Sequence, residues 1–466
     1  MWRGIDYAEQ PVDERRFAAP GPLRPWRGVR DATRHGPLPP QGKSFVGGGR
    51  DDPKHRDEAC LTLTVWSPDP RAALPVMVWI PGGGFVMGAG QFQLYNGSRL
   101  AANGNVVVVN VTYRIGVFGG FELGSLGDGF DDNLCLRDQI AALGWVRDNI
   151  AAFGGDPAQV TVFGESAGAT SVLALMSSPA ADGLFYRAIA QSAALPLIAD
   201  RDSRAEQAQR FLAEIGMSSG DLKGAPQRAL RRAAGRLQLR SVATSPTLAY
   251  GLTYGTELLP RHPLDAARQG ALARLPLIVG VNSDEASMFA WSKPPMLPTT
   301  RESVDAFLAR VDRRVRERVL AAYPGYPGRR ALVAIGSDAT FGAPTWAFAD
   351  AYSAHAPTYA YRFDHATTTL RALRLGATHG SEIVHVQHSY GSYLGRLLHP
   401  LGRQVQPSVG RRMQRAWLDF ASRPGEPGDW PRYRMPERST RVIGTMRDVI
   451  IDDPDGRRRL AWEGMY

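Results

Sequence analysis

The chain has 466 residues, 44% of them hydrophobic and 21% charged, which is typical of a soluble globular protein with a sizeable core. Its formal net charge is +10, and arginine supplies nearly all of the positive charge because only four residues are lysine. The arginines are scattered and form no basic run interleaved with aromatic residues, so the pattern disfavours nucleic-acid binding and indicates a solvated, arginine-rich surface.

The N-terminal segment lacks the apolar stretch of a signal peptide, and no uninterrupted apolar run approaches the ~20 residues of a membrane span. We therefore expect a cytoplasmic protein without a membrane partner, or a secreted one if the native chain starts further upstream. The two cysteines, Cys60 and Cys135, form neither a disulfide framework nor a zinc-binding spacing. We expect both to be buried free thiols.

The first sixty residues are rich in Pro, Gly and Arg and are predicted to be an extended surface covering. Short β-rich runs then begin. The predicted strands are residues 61–67, 75–80, 105–113, 159–164, 186–192, 275–282 and 358–364. The runs at 105–113 and 159–164 are almost wholly apolar, as buried parallel strands are.

Helical patterns lie between and after these strands. Leu136, Ile140, Leu143 and Val146 recur at helical spacing within the run 133–153. Further helices are predicted at 203–215, 302–322 and 408–421. The order of strands and helices predicts an α/β fold with a mostly parallel twisted sheet flanked by helices. Without repeats or a linker, we predict one domain over residues 1–466, with a helical insertion between about 200 and 375.

The segment Gly164-Glu165-Ser166-Ala167-Gly168 has the pattern G-x-S-x-G, with a β-rich run before it and an Ala/Leu-rich stretch after it. This is the nucleophile elbow of α/β-hydrolases, a strained turn that raises the serine hydroxyl above the sheet. Side chains two residues before and after the serine would collide with the neighbouring strand and helix. We predict that Ser166 is a nucleophile, and the alternative is that it only caps a helix.

A serine hydroxyl becomes a good nucleophile only beside a base that a third group orients. In α/β-hydrolases the acid and then the histidine follow the serine along the chain. Six histidines lie far enough downstream, and spacing alone does not choose among them. They are His355, His365, His379, His385, His388 and His399.

The chain also resembles the type-B carboxylesterases, the family of bacterial para-nitrobenzyl esterases, liver carboxylesterases and cholinesterases. The resemblance spans most of the chain and is most specific over residues 133–171. Other matching segments include "GGGFVMG", "LPLIVGVNSDEASMF", "GATHGSEIVHV" and "RAWLDFASRPGEPGDWPRY". The resemblance implies the α/β-hydrolase fold, helical insertions over the active site, and a reaction that needs neither a metal nor another cofactor.

The same resemblance selects the partners of the serine. The family's acid is the glutamate of a G-x-N-x-D-E-G segment, which is Glu285 here, with Ala286 in place of the glycine. Its base is the histidine of an H-G-x-E segment, which is His379. Asp284 is the competitor for the acid, and Glu382 is a candidate for orienting the histidine loop.

The resemblance also assigns the three glycines of "IPGGGF" to an oxyanion hole. Gly83 and Gly84 are expected to donate backbone hydrogen bonds to the oxyanion, together with Ala167, the residue after the nucleophile. Pro81 stands where many relatives have histidine or an aromatic residue. Proline lacks an N–H group, but the donors come later in the loop, so we expect catalysis to survive.

Two further departures concern the N-terminal half. Relatives have a short β-region ahead of the segment that matches the start of this chain, so that edge region is expected to be truncated. Cys60 aligns with a cysteine that is disulfide-bonded in secreted animal relatives, but no cysteine occurs near residues 85–98, where its partner would lie.

The predicted function is a serine carboxylic-ester hydrolase that cleaves a small-molecule ester through an acyl-enzyme, as a monomer or small homo-oligomer. One alternative is a biosynthetic acyltransferase or lactone-opening enzyme with the same triad. The other is a non-catalytic adhesion protein, which the presence of all three triad residues disfavours. Met87, Phe289, Trp291 and Phe341 are candidates for the substrate pocket, and each is equally consistent with the core.

Overall fold

A computed structural model describes residues 1–43, 55–244, 249–292, 295–399, 407–423 and 427–466. We number its strands and helices in chain order. The strands are β1 Trp2–Asp6, β2 Thr62–Trp66, β3 Leu74–Ile80, β4 Val107–Thr112, β5 Gly155–Glu165, β6 Arg187–Gln191, β7 Ile198–Asp200, β8 Leu252–Tyr254, β9 Leu277–Asn282, β10 Thr358–Phe363, β11 Ser439–Ile443 and β12 Asp448–Asp452. The helices are α1 Ser98–Gly104, α2 Leu134–Asn149, α3 Ala167–Ser177, α4 Arg201–Ile215, α5 Gln227–Thr244, α6 Pro263–Arg268, α7 Arg301–Leu308, α8 Arg313–Ala322, α9 Arg329–Ser337, α10 Ala343–Ser353, α11 Thr368–Ala372, α12 Ile383–Val386, α13 Tyr393–Leu398, α14 Pro407–Ser422 and α15 Gly456–Ala461.

The main sheet of the described residues has ten strands in the order β1-β2-β4-β3-β5-β6-β9-β10-β11-β12. The seven strands in the middle of this order, β4-β3-β5-β6-β9-β10-β11, run parallel to one another. β1 and β2 at one end and β12 at the other pair antiparallel. All seven predicted strands are present, and the mostly parallel α/β prediction is confirmed. A second, two-stranded parallel sheet pairs β7 with β8.

The sheet lies between two apolar cores. Along β3, Val76, Val78 and Ile80 enter one core, and the alternate residues Met77 and Trp79 enter the other. Helices α2 and α3 pack on the first face and α14 on the second. Because both faces are covered, the central strands are buried along almost their whole length and read as continuous apolar runs.

The predicted helix 302–322 is wrong as a single element, because it is two helices, α7 and α8. Asp312 ends the continuity, since its carboxylate accepts hydrogen bonds from the N–H groups of Arg314 (2.9 Å) and Val315 (3.3 Å) and begins α8. Apolar residues continue at helical spacing across the break, which explains the error.

The predicted insertion between about 200 and 375 is also not continuous. Strands β9 and β10 fall inside this range and belong to the main sheet. The described helices in this range therefore form two groups, α4 to α6 before β9 and α7 to α10 between β9 and β10, and α11 follows β10.

Five strands were not predicted: β1, β11 and β12 at the two ends of the main sheet, and β7 and β8 of the second sheet. In β1 the pairing register shifts between Arg3 and Ile5, where Gly4 has a φ of 63°. A half-buried edge strand with such a bulge lacks the strict alternation that reveals a strand in sequence. Residues 2–6 thus supply an edge strand of the sheet, within the segment that was predicted only as an extended surface covering.

A buried ion pair joins the end of β4 to α2. The Arg114 guanidinium donates to both carboxylate oxygens of Asp138 at 2.7 and 2.8 Å, and the Arg114 N–H adds a third bond at 3.0 Å. The two side chains are 2% and 0% exposed. Arg114 also donates to the Ala18 carbonyl oxygen (2.8 Å), so the pair ties the N-terminal segment to the sheet.

We expect Asp138→Asn to lower the free energy of unfolding by about 3–5 kcal/mol, because it leaves the Arg114 charge buried without its partner. The matched control is Asp148→Asn, which removes the partner of Arg147 in an adjacent-residue pair whose side chains are each 57% exposed. The control should cost less than about 1 kcal/mol. Urea denaturation of both variants measures the difference, and equal losses would contradict a structural role for the buried pair.

Candidate active site

Ser166 lies on a sharp turn between β5 and α3. Its φ of 59° and ψ of −125° are strained for a residue with a side chain. A Cβ on Gly164 would lie 2.7 Å from the carbonyl oxygen of Ile80, and one on Gly168 would overlap the same oxygen. The predicted collision with the neighbouring strand is confirmed. The Ser166 side chain makes no helix-capping hydrogen bond, so the capping alternative is wrong.

His379 and Glu285 meet in a buried contact above the carboxyl ends of β9 and β10. The His379 Nδ1 atom lies 2.6 Å from Glu285 Oε2, and the other oxygen, Oε1, accepts from the Asn282 N–H at 2.7 Å. Among the described residues, His379 Nε2 has no hydrogen-bond partner. The imidazole is therefore oriented through Nδ1, and its Nε2 atom is available to accept a proton.

The other candidates for the acid and the base lie away from this contact. The Asp284 side chain is exposed and accepts from the Ala377 N–H (3.1 Å) and the Ser283 hydroxyl (2.8 Å). Three of the other histidine rings form a cluster of their own, with His385 centred 5.1 Å from His365 and 5.0 Å from His399. Of the six candidate histidines, the structure thus brings His379 to Glu285.

Glu165 is a second carboxylate at the histidine, and the sequence reasoning missed it. Its Oε1 atom lies 3.1 Å from His379 Nε2, although the two are not aligned for a hydrogen bond. Glu165 is buried directly ahead of the serine, at the end of an apolar strand. A carboxylate in that position was the signal that could have revealed it.

The charges of this pair are coupled. Burial raises the pKa of the Glu165 carboxyl. Burial alone would lower the pKa of His379, but the carboxylates of Glu165 and Glu285, with the hydrogen bond from Glu285, outweigh it and raise that pKa. The charge on each of the two groups therefore depends on the protonation of the other.

A network of buried polar side chains holds the loop that carries His379. Glu382 is fully buried and accepts from the side-chain amides of Gln191 (3.1 Å) and Asn282 (2.6 Å). The Asn282 amide also donates to the Thr378 carbonyl oxygen (2.9 Å), next to His379. The side-chain oxygen of Gln191 accepts a hydrogen bond from the Trp417 indole N–H at 3.0 Å. Glu382 therefore links β6, β9 and the His379 loop, in agreement with its proposed orienting role.

The glycine loop lies against the serine. A Cβ on Gly82 would overlap the Glu165 carbonyl oxygen and lie 3.0 Å from Ser166 Cβ. Gly83 and Gly84 have φ values of 118° and 62°. Within the described part of the chain, their N–H groups donate to no other backbone group. The Ala167 N–H is in the first turn of α3, where helix N–H groups lack intrahelical partners.

Two of the four pocket candidates cover His379. The ring of Phe341 is centred 4.5 Å from the imidazole, and that of Phe289 5.3 Å from it. Trp291 is 52% exposed instead. Met87 lines a cavity of about 250 Å³ beside the glycine loop.

In the described residues no group of three or more His, Cys, Asp or Glu side chains could hold a metal ion. None of the described helices is long and apolar enough to cross a membrane. Cys60 and Cys135 are buried free thiols, as predicted.

A serine on a strand–turn–helix elbow and a histidine bonded to a buried carboxylate, both beyond the carboxyl ends of strands in a mostly parallel sheet, define a serine hydrolase of the α/β-hydrolase fold. Comparison with known proteins narrows the class. Residues 1–449 match the model of the carboxylesterase family, and the chain belongs to that family.

The relatives that it matches are named esterases and hydrolases of similar length. The chain is 36% identical to the para-nitrobenzyl esterase of Bacillus subtilis (strain 168), covering 98% of this chain and 94% of that protein. It is 31% identical to the phenmedipham hydrolase of Pseudarthrobacter oxydans, with 95% and 91% coverage. The structure of a thermophilic para-nitrobenzyl esterase superposes with a TM-score of 0.88 at 34% identity, covering 99% of this chain and 95% of that one. The protein is a serine carboxylesterase that hydrolyses carboxylic esters.

We expect Gly82→Ala to lower kcat/KM for ester hydrolysis by about 10²-fold, because the methyl group forces the glycine loop to move by roughly 1 Å. The control is Gly144→Ala in α2, where an added Cβ meets nothing within 4 Å. The control should keep full activity and gain up to about 1 kcal/mol of stability. Initial rates on para-nitrophenyl acetate measure the effect. Full activity of Gly82→Ala would show that the loop tolerates the displacement.

Proposed function

We propose that Ser166, His379 and Glu285 form the catalytic triad of this carboxylesterase. The observation that carries the assignment is the buried 2.6 Å contact of His379 Nδ1 with Glu285, which leaves Nε2 without a hydrogen-bond partner among the described residues. An imidazole oriented in this way can accept the proton of a serine hydroxyl.

The reaction proceeds in two halves. His379 takes the hydroxyl proton as the Ser166 oxygen attacks the ester carbonyl, and Glu285 stabilises the imidazolium that results. The C–O bond to the alcohol breaks, and His379 returns the proton to the leaving oxygen. Water then attacks the acyl-enzyme with the same base, releasing the carboxylic acid and restoring the serine.

We further propose that the N–H groups of Gly83, Gly84 and Ala167 bind the oxyanion of each tetrahedral intermediate. The proximity of Gly82 to Ser166 Cβ supports this role. The two glycines have no Cβ atom, which leaves room for close approach of the substrate. Loss of one such donor typically slows an acyl-transfer enzyme by about 10²–10³-fold.

The substrates that we propose are small esters, with Phe289 and Phe341 forming an apolar wall beside the histidine. A para-nitrobenzyl ester is the first test substrate, because a relative carries that name. We also propose a single domain, since the main sheet draws β1 and β12 from opposite parts of the chain. The oligomeric state, monomer or small homo-oligomer, and the cytoplasmic location stay predictions.

Ser166→Ala is expected to reduce hydrolysis of para-nitrophenyl butyrate to the level of the buffer blank and to abolish covalent labelling by a fluorophosphonate probe, because the nucleophilic oxygen is gone. The matched control is Ser171→Ala on the same helix, whose hydroxyl donates to the Ala167 carbonyl oxygen at 3.0 Å. The control should still be labelled. Undiminished turnover in Ser166→Ala would refute the triad.

Glu165→Gln is expected to move the acidic limb of the kcat/KM profile to lower pH. The Glu165 carboxylate favours the imidazolium of His379 and raises its pKa. Removing that charge lowers the pKa, so the neutral, basic form of His379 persists to lower pH.

Profiles of initial rate against pH for para-nitrophenyl acetate measure this shift. Glu206→Gln, on the surface of α4, is the control and should leave the limb in place. An acidic limb that stays fixed, or moves to higher pH, in Glu165→Gln would contradict the electrostatic coupling.

A further inference from the structure

The glycine loop, residues 81–88, has little structure of its own. Four of its residues, Gly83, Gly84, Phe85 and Gly88, have positive φ values. Its internal backbone bonds join the Gly83 carbonyl oxygen to the N–H groups of residues 86 and 87, both at 3.1 Å. A loop of this kind needs constraints from outside if its N–H groups are to keep a fixed direction.

The far end of the loop is held by Gln41, which is 2% exposed. Its amide nitrogen donates to the Gly88 carbonyl oxygen at 3.1 Å, and its amide oxygen accepts from the Gly88 N–H at 3.0 Å. One side chain, 47 positions away in sequence, thus satisfies both backbone groups of Gly88. The Pro39 carbonyl oxygen takes a second bond from the same nitrogen at 3.3 Å and steadies the amide.

The near end is held by Tyr113, which is buried just after β4. Its hydroxyl donates to the Pro81 carbonyl oxygen at 2.5 Å. That carbonyl group shares a planar peptide unit with the Gly82 N–H, so the bond fixes the plane from which the glycines begin. A third bond, from the Gly116 N–H to the Phe85 carbonyl oxygen (2.6 Å), holds the middle of the loop.

We propose that Gln41 and Tyr113 are positioning residues that clamp the two ends of the glycine loop and thereby aim its N–H groups at the oxyanion. This inference rests on the oxyanion role given to Gly83 and Gly84 above. Neither side chain needs to touch the substrate. Both act on backbone groups, so their effect belongs to the transition state, in which the oxyanion is fully formed, more than to substrate binding.

The test compares two conservative variants with two matched controls. Tyr113→Phe deletes one hydroxyl, and Gln41→Asn keeps the amide but shortens its reach by one methylene group. Tyr7→Phe is the control for the first, because the buried Tyr7 hydroxyl also donates to a backbone carbonyl oxygen, that of Thr112, at 2.9 Å. Gln91→Asn is the control for the second, because Gln91 donates to the Gly36 (3.0 Å) and Pro37 (3.1 Å) carbonyl oxygens and not to the loop.

We expect kcat on para-nitrophenyl acetate to fall about 10- to 100-fold in Gln41→Asn and in Tyr113→Phe, with KM changed less than about threefold. Affinity for an aryl trifluoromethyl ketone, which forms a tetrahedral oxyanion on the serine, should fall by the same factor as kcat. Both controls should keep kcat and ketone affinity within about twofold of the parent enzyme. Thermal denaturation checks that each variant is folded at the assay temperature.

Parent-like kcat and ketone affinity in both clamp variants would overturn the proposal while leaving the triad intact. A loss of kcat without a matching loss of ketone affinity would also overturn it, because the defect would then lie outside the oxyanion site. Failure of the triad itself would be recognised separately, by turnover that persists in Ser166→Ala.

Discussion

The close approach of β3 and β5 at their carboxyl ends is the constraint on which the site depends. Gly164 and Gly168 lie so near the Ile80 carbonyl oxygen that a Cβ on either would collide with it. Because Ile80 leads directly into the glycine loop, the same contact that places Ser166 also places Gly82 beside it. The proposed nucleophile and the glycine loop are therefore both positioned by one packing contact between two parallel strands, and a larger residue at either glycine would displace both.

The second constraint is electrostatic. Three buried glutamates, Glu165, Glu285 and Glu382, surround one histidine in a protein whose net charge is +10. Isolated carboxylates are costly to bury, but here each has a partner in the imidazole or in side-chain amides. The Glu165 carboxylate, 3.1 Å from His379 Nε2, raises the pKa of the histidine and so affects its basicity. Among the described arginine ion pairs, Arg114 with Asp138 is deeply buried, whereas Arg147 with Asp148 and Arg210 with Glu206 are exposed.

Sequence patterns predicted the central strands well, because strands covered on both faces are continuous apolar runs. They failed at the edges. β1, β11 and β12 are short or partly exposed, so neither apolar run nor alternation marks them. They failed again at residues 302–322, where apolar spacing continues through a break that a single aspartate, Asp312, creates with its side chain. A local capping bond there overrides a periodic pattern.

The sequence by itself determined the family, the proposed nucleophile and the glycines around it. These depend on local chemistry, because an elbow needs small residues at fixed offsets from its serine. A loop that packs closely against the serine needs consecutive glycines. The family resemblance selected Glu285 and His379, and only the tertiary structure shows how such distant segments come together. Glu285 follows β9, and His379 and Glu382 follow β10, which is the neighbour of β9 in the sheet, whereas Gln41 reaches the glycine loop from the N-terminal segment. Glu165 was adjacent to the serine in sequence, but its approach to His379 depends on how the histidine loop folds over the strand ends.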